Sequence, residues 1–263
     1  MNCLVTGANG FIGKNLVEML VVLGHNVEPF THRTSIRNGK WDWIFNLAGE
    51  LYRKEYMFDS NVAFVNKMLE ETSCINYKAY IHVGTMAEYG PINGPIVSKE
   101  KLLPVEWYGA TKSCGSTMSR AFAMETRKPI VVARLFNVFG PYESPRRLIP
   151  AVISKTVRGE TVSIYNGSHD FVYVEDVCDA LIKIAESPVS GDEVNVGTGR
   201  MTTNREFVDI LQSVTGLDIK SVNIDEFIRP YDSHFSVCDT THAEEQYKFK
   251  ARYSIELAMR RYL

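Results

Sequence analysis

The sequence predicts an α/β fold, a Rossmann-type doubly wound parallel sheet with a small C-terminal lobe, and three observations carry that expectation. Apolar runs rich in β-branched residues alternate with helical periodicity from the first residue onward, which is the pattern of βαβ units. A glycine-rich turn, Thr6 to Gly13, falls between the first of those strands and the first helix, where such sheets bind dinucleotides. With 263 residues, 45% of them hydrophobic, the chain can bury a large core as one α/β unit with at most a modest appendage.

The elements follow in order. Residues 3–6 read as a strand, 11–23 as a helix and 27–30 as a second strand. Further strands are expected at 43–47, 79–83 and 130–135, with helices at 59–72 and 108–125 between them. After Pro141 the texture changes: Pro145 and Pro150 bracket a short basic loop, and the remaining elements are shorter. Thr203 followed by Glu206 has the spacing of a capping box, so a helix is expected from there to Val214. The division this predicts is a dinucleotide-binding domain over 1–165, its sheet completed around 170–200, and a mainly substrate-binding lobe over 166–263.

Composition narrows the function. The formal net charge is -2 and the basic residues are spread along the chain, so no electrostatic footprint for nucleic acid is present. No run approaches the roughly 18 apolar residues of a membrane span, and Met1 leads straight into an apolar strand without a basic leader. A soluble, cytoplasmic protein without membrane partners is expected. The five cysteines are far apart, with no CxxC pair and no clustered histidines, which predicts buried thiols and no metal site.

The turn is the sharpest feature. Gly7 permits the reversal, Gly10 lets the backbone approach a pyrophosphate, and Gly13 lets helix and strand pack closely; Asn9, Phe11 and Ile12 lie in the same cradle. Cofactor choice turns on the end of the second strand, where a carboxylate would accept bonds from the 2′-hydroxyl of NAD. Thr31, His32 and Arg33 stand there instead, and together with Arg37 they suit a 2′-phosphate. The pattern favours NADP over NAD, although the same residues also fit a plain solvated loop.

Tyr108 and Lys112 open the helix at 108–125 four residues apart, so they share one helix face. A phenol with a pKa of about 10 becomes a usable proton carrier near neutrality if a neighbouring ammonium stabilises the phenolate by roughly 4 kcal/mol. Such a Tyr could exchange a proton with a sugar hydroxyl while a nicotinamide handles the hydride. In a chain with 13 tyrosines the spacing alone is weak.

Taken together, these motifs resemble the extended short-chain dehydrogenase/reductase superfamily, in its nucleotide-sugar epimerase, dehydratase and reductase branch, over nearly the whole chain. The TGANGFIG turn resembles that family's cofactor turn, Asn46-Leu47-Ala48-Gly49 the segment lining the cofactor, and Asn61 the asparagine that follows it. The resemblance implies that Thr85, in Val83–Gly90, bonds the reacting oxygen beside Tyr108 and Lys112, with Met86 and Ala87 near the sugar. Within Arg134–Pro141 it implies cofactor contacts by Phe136 and Val138 and a diphosphate contact by Asn137. Arg229 and Asp232 resemble the late pair that grips diphosphate and ribose. His169 stands where the family often carries an arginine, a contact that Arg146 or Arg147 could replace. About ten residues separate Thr31 from Trp41, so a helix-strand unit usual in the family is expected to be missing. The dehydratases' Asp-Glu pair is replaced by Met86 and Ala87, which disfavours loss of water.

The implied function is oxidoreduction at C4 of a nucleotide-diphosphate sugar. An NADPH-dependent reductase of a 4-keto, 6-deoxy-type hexose leads, a 4-epimerase with tightly held NAD is the alternative, and a dinucleotide sensor without chemistry is a remote third. The helices at 59–72 and 108–125 resemble those through which relatives dimerise, so a homodimer is expected; the same apolar positions also suit an intramolecular core.

Overall fold

The computed structural model describes residues 1–30, 34, 36–227, 232 and 235–263. Six parallel strands form the central sheet: β1 (Asn2–Thr6), β2 (Asn26–Pro29), β3 (Trp43–Asn46), β4 (Ala79–Thr85), β5 (Ile130–Leu135) and β6 (Asp192–Val196). Their spatial order is β6-β5-β4-β3-β1-β2. The helices are α1 (Phe11–Val22), α2 (Lys54–Phe58), α3 (Phe64–Thr72), α4 (Trp107–Thr126), α5 (Leu148–Val157), α6 (Val174–Glu186), α7 (Asn204–Thr215), α8 (Thr241–Tyr247) and α9 (Ile255–Tyr262).

The strands are apolar on both faces because both faces are covered. Alternate side chains enter different cores. Cys3, Val5, Phe45, Ile81 and Val131 pack with Leu16 and Leu20 of α1 and Val177 and Leu181 of α6. Leu4, Ile44, Tyr80 and Ile130 pack with Val65, Met68 and Leu69 of α3 and Ala123 of α4. The chain runs from β1 outward to β2 and then crosses to β3, so the strand order reverses between β1 and β3. A crevice at such a switch point is where open α/β sheets hold ligands.

Among the described residues no helix or strand lies between β2 and β3, as expected, and β2 is the edge of the sheet. Ile36 is fully buried, and the Trp41 indole donates to its carbonyl at 3.1 Å. These side chains, with Phe30 against Phe64, close the apolar space beside β2.

Three expectations need correction. Of the five thiols expected to be buried, Cys3, Cys178 and Cys238 are, whereas Cys74, just after α3, and Cys114, on α4, are exposed. The helix expected over 59–72 starts earlier, at Lys54, and is interrupted by a π turn over Asp59–Ala63. The proline-bracketed loop is shorter than expected, because α5 begins at Leu148 and Pro150 sits in its first turn, where a missing N–H costs no intrahelical bond. The capping box is present as expected: the Thr203 hydroxyl accepts from Glu206 N at 3.1 Å and the Glu206 carboxylate accepts from Thr203 N at 2.8 Å. The Ser254 hydroxyl caps α9 by accepting from Leu257 N at 3.2 Å.

Short strand pairs build the end of the molecule above the carboxyl edge of the sheet. Asn137–Phe139 pairs with Phe171–Tyr173, Val162–Asn166 with Ser221–Phe227, Ser168–His169 with Thr202–Thr203, and Gly94–Ile96 with Ser236–Cys238. No helix among the described residues is long and apolar enough to cross a membrane, and none of their His, Cys, Asp and Glu side chains cluster as a metal site.

Candidate active site

The phosphate cradle is built by close backbone approach. Gly7 has φ +65°, and a Cβ there would stand 2.9 Å from Ala48 N; a Cβ on Gly13 would stand 2.1 Å from the Gly7 carbonyl oxygen. Helix α1 starts at Gly10 with no side-chain cap and no acidic residue in its first turn, so its first N–H groups and its positive end are open to an anion. Asn9, Phe11 and Ile12 sit on this rim. The residues present fit a dinucleotide.

The opposite wall is the end of β3. Thr6 donates to Asn46 Oδ1 at 2.7 Å and accepts from Ala48 N at 3.0 Å, which locks Leu47-Ala48-Gly49 over the glycine turn. Asn61, in the π turn, accepts from Glu50 N at 2.9 Å and donates to Glu50 O and Thr111 Oγ1, both at 3.0 Å. It thereby ties the 47–50 loop to α4. A Cβ on Gly49 would stand 3.7 Å from Lys112 Nζ, so this loop and the lysine share one space.

Tyr108 and Lys112 lie on the first turns of α4. Lys112 is 5% exposed, and its ammonium donates to Val83 O at 2.6 Å. Burial pushes its pKa below the ordinary lysine value, and the Glu88 charge opposes that shift. Tyr108 is half-buried and packs on a cluster of Met86, Ala87, Tyr89, Ile96, Phe136 and Cys238. Thr85 ends β4 in extended conformation; its oxygen takes a long 3.4 Å bond from Ala87 N. Its hydroxyl proton can still be donated.

Several of the expected substrate residues are held by contacts of their own. Asn137 donates to Met86 Sδ at 3.3 Å, and a thioether is a weak acceptor that an anionic oxygen would outcompete. His169 Nε2 lies 4.0 Å from Asp232 Oδ1, both buried. Arg146 lies over the Tyr52 ring at 5.2 Å. Arg147 is held by Glu143 at 3.2 Å and by Val138 O, with its guanidinium 5.8 Å from the Phe11 ring. Phe136 and Val138 are nearly buried beneath this group. Thr31, His32, Arg33 and Arg229 lie outside the described residues.

Sequence reading missed the charge beneath the site. Glu88 is fully buried and Arg134 is 1% exposed; Arg134 Nε donates to Glu88 Oε2 at 2.7 Å, and its Nη2 donates to Glu193 Oε1 at 2.6 Å. His82, also fully buried, pairs with Asn46 at 3.3 Å; burial, followed by the Lys112 and Arg134 charges, drives its pKa far down, so the ring is neutral. A lone glutamate within an otherwise apolar turn was the available signal for Glu88.

The model of the NAD dependent epimerase/dehydratase family matches residues 3–197. The chain is 26% identical to UDP-glucose 4-epimerase 4 of Oryza sativa subsp. japonica, over 96% of this chain and 86% of that one. It is 27% identical to dTDP-6-deoxy-L-talose 4-dehydrogenase (NAD(P)(+)) of Kitasatospora kifunensis, over 97% and 92%. The fold superposes on UDP-glucuronic acid 4-epimerase of Bacillus cereus, solved with a UDP-sugar analogue and NAD, with a TM-score of 0.89 at 19% identity, covering 100% of this chain and 98% of that one. The chain belongs to the NAD dependent epimerase/dehydratase family and is an enzyme of the extended short-chain dehydrogenase/reductase type.

Proposed function

We propose that the protein performs oxidoreduction at C4 of a nucleotide-diphosphate sugar, acting as an NADPH-dependent reductase of a 4-keto, 6-deoxy-type hexose. The observation that carries this reading is the placement of the buried Lys112 ammonium one helical turn from Tyr108, in the space it shares with Gly49, with Thr85 ending the neighbouring strand. A bound nicotinamide supplies or accepts the hydride. The remaining work falls to this chain's side chains. Tyr108 gives a proton to the C4 oxygen or takes one from it, Lys112 favours the phenolate by its charge, and Thr85 donates to the same oxygen. Asn137, Arg146, His169 and Asp232 receive the nucleoside diphosphate, and the same role is assigned to Arg229, which lies outside the described residues, from the sequence alone. Met86 and Ala87 are apolar where loss of water would need an acid and a base, so the reaction stops at C4.

The preference for NADP rests on the basic, carboxylate-free stretch Thr31-His32-Arg33, continued by the exposed Arg37; the Kitasatospora relative, named for NAD(P)(+), accords with either nucleotide. The 4-epimerase reading, with NAD, is favoured by the name of the rice relative. Nucleotide released from the purified protein distinguishes them. A protein purified without NAD, binding NADPH at least tenfold more tightly than NADH, and reducing a 4-keto sugar nucleotide is the expected result. Copurified NAD⁺ with exchange between C4 epimers supports the epimerase, and equal affinity for the two reduced nucleotides removes the NADP argument. In either case Tyr108→Phe is expected to lower kcat about 10²- to 10⁴-fold with cofactor affinity retained; a variant as active as wild type would overturn the proton-carrier role.

A further inference from the structure

One carboxylate touches every element that carries the reacting groups. Glu88 sits in the turn after β4, and its Oε1 accepts from Thr85 N and Ser116 Oγ, each at 2.9 Å. Its Oε2 accepts from Arg134 Nε on β5 at 2.7 Å. Ser116 lies one turn beyond Lys112, so Tyr108, Lys112 and Ser116 share a face of α4. Room for the carboxylate comes from Gly84, where a Cβ would stand 2.6 Å from Oε1 and 3.0 Å from Ser116 Oγ. A fully buried charge costs free energy that ordinary packing would avoid, and every donor around this one comes from β4, α4 or β5.

We propose that Glu88 is a positioning residue for the proton-transfer pair, holding Thr85 and α4 in register and supplying the buried negative charge that keeps the Lys112 ammonium in place. This rests on the C4 oxidoreductase reading. The registry part follows from Oε1, which bonds the Thr85 backbone and α4 at once: if it is lost, Thr85 can shift relative to Tyr108, and a displacement of that kind lowers turnover more than binding. The charge part follows from placement: Lys112 Nζ bonds Val83 O at 2.6 Å while Glu88 Oε1 lies against the next residue, Gly84, and in a dry interior such neighbouring charges attract strongly. The charged and titratable groups around Glu88 are Arg134 on β5, Lys112 on α4 and Tyr89 in the turn, with His82 on β4 next to Lys112 and Arg134, and Glu193 and Arg120 beyond Arg134. Arg134 stays charged and His82 stays neutral, so removing the Glu88 charge makes the site more positive. Lys112 and Tyr108 then both lose protons more readily.

The test compares wild type, Glu88→Gln and Glu88→Asp by melting temperature, NADPH affinity, kcat and KM across pH, and the titration of Lys112 Nζ followed by NMR on 15N-lysine-labelled protein. For Glu88→Gln, kcat is expected to fall about 10- to 100-fold with KM within about twofold, and both limbs of the pH profile and the Lys112 titration to move about one pH unit lower. Glu88→Asp keeps the charge and shortens the arm, so kcat falls while the pH limbs stay. A folded, cofactor-binding Glu88→Gln protein whose pH profile and Lys112 titration match wild type overturns the charge role. Wild-type kcat in Glu88→Asp overturns the registry role, and that variant decides it even if Glu88→Gln fails to fold. Absence of any C4 turnover in wild type defeats the underlying reading instead, and the Lys112 titration, which needs no turnover, still decides the charge role.

Discussion

At the residue scale, Gly13 is where the cofactor site tolerates least. Its missing side chain lets α1 start against the Gly7 carbonyl, and a Cβ would have to stand 2.1 Å from that oxygen, closer than any packing allows. Gly13→Ala is therefore expected to displace the turn and weaken NADPH binding at least tenfold, about 1.4 kcal/mol, as read by nucleotide fluorescence titration; an unchanged Kd would contradict the cradle. This residue was legible in the sequence because the constraint is local, three glycines spaced within one turn. The same holds for Tyr108 and Lys112, whose four-residue spacing alone places them on one helix face. Glu88 shows in the sequence only the capping-box spacing to Thr85, three residues earlier; its place beneath the site was not legible, since its other partners Ser116 and Arg134 lie 28 and 46 residues away.

At the element scale, the loop entering α5 straps the cofactor helix. Asn15 donates to Pro141 O at 3.0 Å, Tyr142 donates to Glu18 at 2.8 Å, and Arg147 lies over Phe11. Glu143 holds Arg147 from a nearly buried position, and burial, only partly offset by the Arg147 charge, pushes its pKa from 4.5 up to about 7. A carboxyl whose folded pKa is raised binds its proton more tightly in the native state. Stability is then fullest below the unfolded value and is lost as pH rises from about 4.5 to about 7, by up to roughly 3 kcal/mol. Melting wild type and Glu143→Gln from pH 5 to 8 is expected to show wild type losing stability relative to the variant; parallel curves would disprove the buried titration. The π turn at Asp59–Ala63 belongs to this scale too. One extra residue in the helix aims Asn61 at the 47–50 loop and at Thr111, and no propensity in the residues announces such a bulge.

At the scale of the whole molecule, the described sheet has six strands with β2 at its edge, and Ile36, Trp41 and Phe30 close the space beside it. On the far side, Tyr56 and Phe58 of α2 and Trp107 and Met124 of α4 remain exposed on helices that pack against each other. A second copy of the chain, pairing these helices with its own by a twofold axis, would cover them. Sedimentation equilibrium is expected to give twice the chain mass; a monomer at micromolar concentration would dismiss this face as an interface.

Short-range physics was readable before folding. Strand and helix alternation, the glycine turn, the capping box at Thr203 and the Tyr-Lys face all depend on residues within a few positions of one another, where backbone geometry leaves few choices. Long-range physics was not. Which buried charge meets which, the neutrality of His82, the raised pKa of Glu143 and the closure beside β2 depend on contacts between segments far apart in the chain and on the water those contacts expel, and neither exists until the chain is packed.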